Sequence, residues 1–292
     1  MKELIGTGVA LVTPFKDDLT IDHEALSNIV NFNIGNGTDY LVISGTTGES
    51  VTISKTEKRA IIDTIKQASK GRVPLVLGIG GNNTAQVVDE IQSTDLTGIA
   101  AILSVAPYYS KPTQEGFYQH FKAISEASPL PIILYNVPGR TAKNMAPATT
   151  LRLARDFENI VAVKEAGNNV AQYLRLIKDK PEDFLIISGD DDLALGVVLA
   201  GGAGVISVIG QAFPKDFSNM IRLGLNGQAR DAYQLHFKLM EVMDLIFEEN
   251  NPAGIKAVLE AMELCGDSVR LPLVPASAGL KANIQRFVAD YN

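Results

Sequence analysis

Residues 73–105 of the chain read VPLVLGIGGNNTAQVVDEIQSTDLTGIAAILSV. Two short apolar runs, 73–79 and 100–105, flank a segment, 84–95, whose apolar residues recur at three- and four-residue spacing. That spacing is typical of an amphipathic helix. Continuous runs rich in Val, Ile and Leu are typical of parallel strands that are covered on both faces. The stretch therefore predicts a strand, a helix and a second, parallel strand.

The same alternation extends over most of the chain. Strand-like runs lie at 8–12, 40–44, 73–79, 100–105, 131–135, 160–164, 184–188 and 204–208. Helix-period segments lie at 22–35, 55–70, 84–95, 114–127, 146–157, 170–178, 191–199 and 214–225. Units of this kind, eight in number, predict an α/β fold, a (β/α)8 TIM barrel over residues 1–226. A doubly wound sheet is the alternative, and the lack of a GxGxxG fingerprint after the first run weighs against it.

The last part of the chain, residues 227–292, contains no strand-like run. Segments 229–249, 252–264 and 277–291 predict three helices. Because no Pro/Gly/Ser-rich linker precedes them, we expect a C-terminal helical extension that packs on the barrel and is not an independent domain.

Composition excludes several classes of protein. The 292 residues carry a net charge of −7, and no basic face of the kind that nucleic-acid binding needs is visible. No stretch approaches 18 uninterrupted apolar residues, and the N-terminus lacks the features of a signal peptide. A single cysteine, Cys265, allows no disulfide within the chain. We therefore expect a cytoplasmic protein with no nucleic-acid or membrane partner.

The sixth strand-like run carries a lysine at its carboxyl end. It reads IVAVKE over 160–165, and alternation places Ile160, Ala162 and Lys164 in the barrel interior if the two valines face the helices. Burial disfavours the charged ammonium. A neutral amine at a barrel mouth can attack a carbonyl and form an imine. A lysine that extends to solvent, or pairs with Glu165, is the alternative.

The second strand-like run ends in a glycine- and threonine-rich loop. It reads SGTTGES over 44–50, and its glycines let the backbone approach a ligand closely. The hydroxyls of Thr46 and Thr47, together with backbone N–H groups, can hold a small carboxylate. A plain turn followed by a helix cap is the alternative.

The fifth strand-like run ends in LYNVPGR over 134–140. Tyr135 shares a strand face with Ile133, so its hydroxyl can reach the barrel mouth and move protons. Arg140 supplies a positive charge that can hold a carboxylate in bidentate fashion. A core aromatic and a solvated surface charge are the alternatives.

Three further patterns bear on subunit contacts and on metal binding. In APYYSKP, over 106–112, two tyrosines beside prolines predict a rigid loop that packs on another surface, and a subunit contact with no catalytic part is the alternative. The three histidines lie in helical segments without HxH or HExxH spacing, which gives no metal site. Asp190, Asp191 and Asp192 are better interpreted as a helix N-cap than as a metal cluster.

Several strings together carry a resemblance to a known family. They are GTTGES, APYYSKP, ILYNVPGR, VAVKEAG, ISGDD and GGAGVISV. In order and spacing they resemble the dihydrodipicolinate synthase / N-acetylneuraminate lyase family, from Gly6 to the C-terminal helices. The resemblance implies a TIM barrel and a pyruvate-dependent lyase that needs no metal or cofactor.

The resemblance also implies catalytic roles. Lys164 resembles the lysine that forms an imine with pyruvate. Tyr135, Thr46 and Tyr109 resemble a proton relay, in which Tyr109 comes from the neighbouring subunit. A homotetramer built from two tight dimers follows as the expected assembly.

Further residues resemble substrate-binding positions of the family. Thr47 resembles part of the pyruvate carboxylate cradle, and Gly189 and Ile206 match positions that line the site through their backbones. Arg140 matches the arginine that binds the carboxylate of L-aspartate 4-semialdehyde, which sialic-acid lyases typically lack. The implied product is 4-hydroxy-tetrahydrodipicolinate, in lysine and diaminopimelate biosynthesis. A pyruvate aldolase acting on a sugar acid and a non-catalytic oxo-acid-binding barrel are the alternatives.

One part of the sequence departs from members of the family that L-lysine inhibits. Those members carry histidines and a glutamate in the inhibitor pocket, where this chain has Lys55, Lys58 and Gln86. Ser50, Asn82 and Tyr108 still match that pocket. Added cations and a missing carboxylate disfavour a cationic ligand, so we expect weak inhibition by L-lysine or none.

Overall fold

The computed structural model describes residues 1–291 and contains a closed barrel of eight parallel strands. The strands are β1 Gly6–Ala10, β2 Tyr40–Ile43, β3 Leu75–Gly78, β4 Ala101–Val105, β5 Ile132–Asn136, β6 Ile160–Glu165, β7 Leu185–Ser188 and β8 Gly204–Ser207. Each strand pairs with the next, and β8 closes on β1. The predicted α/β TIM barrel is confirmed.

Helices cover the outside of the barrel and continue beyond its last strand. They are α1 His23–Gly35, α2 Lys55–Ser69, α3 Thr84–Ser93, α4 Gln114–Ala127, α5 Pro138–Thr141, α6 Pro147–Asp156, α7 Val170–Asp179, α8 Asp191–Leu199, α9 Pro214–Leu225, α10 Ala229–Glu248, α11 Ala253–Ala261 and α12 Ala278–Asp290. The sequence pattern did not predict the short α5. Across residues 1–291, none of the helices has the length and apolar character that a membrane crossing requires.

Side-chain capping bonds mark where several helices begin. Ser54 accepts a hydrogen bond from the backbone of Glu57 at the start of α2, and the Glu57 side chain accepts one from the backbone of Ser54. This capping box satisfies two backbone N–H groups that the first helical turn leaves without partners. Asp22 and Thr113 cap α1 and α4 in the simpler one-way form. The predicted helix starts differ from the observed ones by at most one residue.

Strand side chains alternate between the barrel interior and the layer beneath the helices. Ala162 lies in the interior cluster, whereas Val163 lies in the outer one, as predicted. Ile160 is a correction, because it lies in the outer cluster while Val161 packs against the interior. The β5–β6 register shifts at this point, where Ile132 pairs with Ile160 but the next residue of β5 pairs with Ala162. The extra residue reverses the alternation at the start of β6.

The C-terminal helices pack on the last barrel helices. Helix α10 contacts α8 and α9, and α12 contacts α10 and α11. The loop between α10 and α11, with α11 itself, lies beside the carboxyl ends of the strands. The division of the chain at residue 226 stays a prediction.

Candidate active site

A cavity of about 370 Å³ opens at the carboxyl ends of the barrel strands. Reactive groups of TIM barrels lie at this end of the strands and in the loops that follow them. Six of the eight residues predicted from the sequence line the cavity together. They are Thr46, Thr47, Tyr135, Arg140, Lys164 and Gly189.

Lys164 lies at the end of β6 and is only 5% exposed. It is the register partner of Tyr135 on β5, and its Nζ lies 4.5 Å from the centre of the Tyr135 ring. The predicted orientation of Lys164 into the barrel is confirmed, so it does not extend to solvent. Its amine and the Tyr135 side chain share one small cavity.

Glu165 does not pair with Lys164. Its carboxylate accepts hydrogen bonds from Asn136 Nδ2 at 2.9 and 3.0 Å and from Gln172 Nε2 at 2.9 Å. Burial raises the pKa of the Glu165 carboxyl to about 7, while the two amides oppose that rise. The carboxyl therefore titrates near neutral pH behind the strand that carries the lysine.

The aspartates after β7 are only partly as predicted. Helix α8 begins at Asp191 and Asp190 lies at its N-cap position, but Asp190 makes no side-chain capping bond. Asp191 instead accepts hydrogen bonds from the backbone N–H groups of Val208 and Ile209, at 3.0 and 2.9 Å. Burial raises the pKa of Asp190 to about 6, and the positive charge of Lys164 opposes the rise. Among residues 1–291 no three His, Cys, Asp or Glu side chains form a metal-binding group.

The threonine-rich loop after β2 is fixed in place by buried contacts. Thr47 is 2% exposed, and its Oγ1 accepts a hydrogen bond from Asn251 Nδ2 at 2.9 Å. Glu49 is buried with φ +53°, a conformation uncommon for a residue other than glycine. Its carboxylate contacts Lys256 Nζ at 2.6 Å and accepts a hydrogen bond from the backbone N–H of Arg270 at 2.9 Å. The loop is therefore anchored by the C-terminal extension and is not a plain turn.

Tyr135 and Arg140 approach the cavity from β5 and α5. Tyr135 is 7% exposed and lies in the interior cluster with Ile133, as predicted. Arg140 is exposed and its Nη2 donates to Asn250 Oδ1 at 3.1 Å. Its other N–H groups are available to a carboxylate in the cavity, since a guanidinium carries five donors.

Comparison with known proteins identifies the family of the chain. The sequence model of the dihydrodipicolinate synthetase family matches residues 3–290. The chain belongs to the dihydrodipicolinate synthetase family. It is 56% identical over 287 residues to 4-hydroxy-tetrahydrodipicolinate synthase of Flavobacterium psychrophilum, covering 98% of each chain.

Solved structures of dihydrodipicolinate synthases have the same fold. The structure of the enzyme from Aquifex aeolicus superposes with a TM-score of 0.95 at 37% identity, over 99% of this chain and 98% of that one. A structure described as the first monomeric dihydrodipicolinate synthase variant superposes with a TM-score of 0.96 at 36% identity, over 99% and 97% of the two chains.

The space around position 189 admits only a glycine. A Cβ at this position would lie 2.6 Å from Ala166 Cβ and 3.0 Å from Lys164 Cε. A glycine therefore lets the β7 end approach the lysine side chain closely. Ile206 is fully buried in the interior cluster, and of the described residues Val208, not Ile206, lines the cavity beside β8.

Tyr109 lies outside the cavity of its own chain. Its side chain is 89% exposed and its φ is +66°, which is strained for a bulky residue. Its neighbour Tyr108 does line the cavity. Within one chain, therefore, Tyr135 and Thr46 both line the cavity, whereas Tyr109 points to solvent.

The outer end of the cavity contains an ion pair that the sequence pattern did not predict. Lys58 Nζ lies 2.6 Å from Glu90 Oε1 and donates to the carbonyl oxygen of Gly78 at 2.9 Å. Lys55 and Lys58 both line the cavity. The interpretation of Lys58 as an added cation needs correction, because Glu90 offsets its charge.

Residues missed by sequence reasoning come mainly from the C-terminal extension. Asn251 lines the cavity, and Asn250 contacts Arg140. The only local signal is the pair Asn250–Asn251 before a proline, at the end of α10. Such a pair is also typical of an ordinary turn.

Proposed function

We propose that this chain condenses pyruvate with L-aspartate 4-semialdehyde through an imine on Lys164, giving 4-hydroxy-tetrahydrodipicolinate. One observation carries the proposal, namely a buried lysine beside Tyr135 in a cavity that Arg140 also lines. The 56% identity to 4-hydroxy-tetrahydrodipicolinate synthase of F. psychrophilum over nearly the whole chain supports it. The reaction belongs to lysine and diaminopimelate biosynthesis.

The first half of the reaction takes place on Lys164. Its neutral amine attacks the pyruvate ketone carbon, and the former carbonyl oxygen takes up protons and leaves as water. The product is an imine, and loss of a proton from the pyruvate methyl group gives an enamine. Lys164 is almost completely buried beside Tyr135 and lines the cavity, so its amine lies where a small keto acid would bind. We assign the pyruvate carboxylate to Thr47 and to the backbone N–H groups of its loop.

The second half forms the carbon–carbon bond. The enamine carbon attacks the aldehyde carbon of the semialdehyde, whose oxygen takes up a proton. The amine of the semialdehyde then attacks the imine carbon, closes the ring and releases Lys164. Tyr135 is the nearest candidate to move these protons, with Thr46 and the neighbouring subunit's copy of Tyr109 completing the relay. Gly189 lets the backbone approach the reacting carbons.

An assay with a panel of aldehydes tests this function. Pyruvate is supplied in excess, and product formation is measured with L-aspartate 4-semialdehyde and with sugar aldehydes. We expect the semialdehyde to exceed the sugar aldehydes in kcat/KM by orders of magnitude. A sugar aldehyde in first place would instead identify a sugar-acid aldolase, and turnover of none would identify an oxo-acid-binding barrel.

Replacing Arg140 by alanine should separate the two substrates. Losing a charge-assisted contact to a carboxylate costs roughly 1.5–3 kcal/mol, so kcat/KM for the semialdehyde should fall at least about tenfold. Imine formation with pyruvate should remain, because the semialdehyde binds later. Arg155→Ala, at an exposed position of α6, is the matched control and should change neither. An Arg140→Ala enzyme with unchanged kcat/KM for the semialdehyde would argue against the synthase.

Inhibition by L-lysine should be weak or absent. Lys58 and Glu90 already form an ion pair at the outer end of the cavity, and Lys55 lines the same region. A cationic ligand there finds repulsion from Lys55, and Gln86 offers no carboxylate. Initial rates against L-lysine at subsaturating pyruvate measure this. Half-inhibition below about 1 mM, which corresponds to roughly 4 kcal/mol of binding, would contradict it.

We further propose a homotetramer built from tight dimers. The exposed, strained Tyr109 supports it, because a proton relay that needs this hydroxyl is incomplete in one chain. Sedimentation velocity that returns the mass of a single chain would contradict the assembly. The cytoplasmic location stays a prediction.

A further inference from the structure

The turn between α10 and α11 contacts both of the proposed substrate-binding side chains. Asn251 is 4% exposed, and its Nδ2 donates to Thr47 Oγ1 at 2.9 Å. Asn250 Oδ1 accepts from Arg140 Nη2 at 3.1 Å and also from the backbone N–H of Asn251 at 2.9 Å. Two adjacent side chains outside the barrel thus hold Thr47 and Arg140 separately.

We propose that Asn251 and Asn250 are positioning residues for the two substrates, Asn251 for pyruvate through Thr47 and Asn250 for the semialdehyde through Arg140. The inference rests on the proposed function and deepens it. In this proposal the C-terminal extension sets the affinity for both substrates, and it does so through a different side chain for each.

Asn251 fixes the direction of the Thr47 hydroxyl. A threonine hydroxyl has one hydrogen and can rotate it toward any acceptor. The amide N–H of Asn251 occupies a lone pair of Thr47 Oγ1, so the hydroxyl hydrogen is directed elsewhere and is free for a carboxylate. Both residues are almost completely buried, so water cannot easily replace the amide.

Asn250 restricts the long, exposed side chain of Arg140. An arginine loses much rotamer freedom when it binds a ligand, and this loss lowers affinity. Asn250 Oδ1 holds one terminal nitrogen of Arg140, and the carbonyl oxygen of Asn251 lies 3.4 Å from the same nitrogen. The guanidinium is therefore ordered before the second substrate arrives, with its other N–H groups available.

The substitutions are chosen to remove side chains without straining the turn. Asn250 has φ +82°, a conformation that glycine adopts without strain, so Asn250→Gly removes only the side chain. Asn250→Asp keeps the acceptor oxygen and serves as the conservative variant. Asn251→Ala removes the amide, and Asn251→Asp keeps its shape while replacing the donor by an acceptor. Asn283→Ala is the matched control, since Asn283 lies on α12 of the same extension and contacts Arg286.

Steady-state KM values for each substrate, with the rate of borohydride trapping by pyruvate, test the division. Loss of one hydrogen bond predicts about a three- to tenfold effect. Asn251→Ala and Asn251→Asp should raise the pyruvate KM and slow trapping by about that factor, with the semialdehyde KM changed less than about twofold. Asn250→Gly should raise the semialdehyde KM by about the same factor, with the pyruvate KM and the trapping rate changed less than about twofold. Asn250→Asp should keep the wild-type KM for the semialdehyde.

Double-mutant cycles show whether each asparagine acts through its partner. Asn251→Ala added to Thr47→Val, and Asn250→Gly added to Arg140→Ala, should bring little further loss. Additive losses, or equal effects of both asparagine variants on both substrates, would overturn the proposal. If Asn251→Ala does not fold, the isosteric Asn251→Asp decides alone. Failure of the wild-type enzyme to form an imine with pyruvate would refute the proposed function instead.

Discussion

Replacement of Lys164 by alanine should lower turnover by at least about 10³-fold, a conservative figure beside the roughly 10⁶-fold loss that removal of a covalent nucleophile can cause. Among the described residues, no other lysine lies at a strand end inside the cavity. No second amine is therefore placed to take over the covalent step. Lys55 and Lys58 line its outer end, where Lys58 is paired with Glu90. The product-forming rate with both substrates at saturation measures the loss.

Two controls separate the loss of the nucleophile from a loss of structure. Alanine brings no polar group into the barrel interior, so Lys164→Ala should remain folded with an unchanged circular dichroism spectrum. Lys178→Ala makes the same exchange at a side chain that is 81% exposed and should retain full turnover. A folded Lys164→Ala enzyme with more than about a tenth of wild-type turnover would contradict an imine route, since covalent catalysis cannot proceed without its nucleophile.

Replacement of Lys256 by methionine should destabilise the protein by roughly 3–5 kcal/mol, the usual cost of removing one partner from a buried ion pair. The side chains of Lys256 and Glu49 are 0% and 1% exposed, with 2.6 Å between Nζ and Oε1. Burial lowers the pKa of Lys256, while the charge of Glu49 opposes that fall. Without the lysine, Glu49 stays buried as an uncompensated charge that accepts one hydrogen bond, at 2.9 Å, from the backbone N–H of Arg270.

The melting temperature measures this effect. A chain of this size loses about 2–4 °C per kcal/mol, so a fall of roughly 6–20 °C is expected. Lys122→Met is the matched control, because its pairing with Glu126 is exposed and is worth at most about 1 kcal/mol. Adding Glu49→Gln to Lys256→Met should recover much of the loss, since no charge then remains buried. A Lys256→Met protein as stable as the Lys122→Met control would contradict the energetic account of this pair.

The barrel was predictable because each strand lies buried on both faces and therefore reads as an unbroken apolar run. Runs such as 160–164 lie within one residue of the observed strand, and the run predicted for β1 is two residues off at each end. Leu11 and Val12 were assigned to β1 because they continue the apolar run; both are buried, yet the N–H of Val12 donates to the Gln211 side chain. The side chains at the start of β6 were assigned to the wrong faces because a register shift is not visible in composition.

The candidate site was predictable where it follows the ends of the strands. Lys164, Tyr135 and Thr47 are fixed by alternation and by the turn after each strand. The contacts of Asn251 with Thr47 and of Lys256 with Glu49 join residues about two hundred positions apart. Nothing in the local pattern distinguishes Lys256 from another lysine in an apolar helix. Such pairs depend on how the C-terminal extension packs against the barrel, which a single sequence does not encode locally.

Trapping of the imine tests the central claim most directly. The enzyme is incubated with pyruvate and borohydride, which reduces an imine to a stable secondary amine, and the protein is then digested and mapped by mass spectrometry. The account predicts loss of activity and one reduced pyruvyl adduct for each chain, located on Lys164. An adduct on any other lysine, or full activity with no adduct, would contradict it.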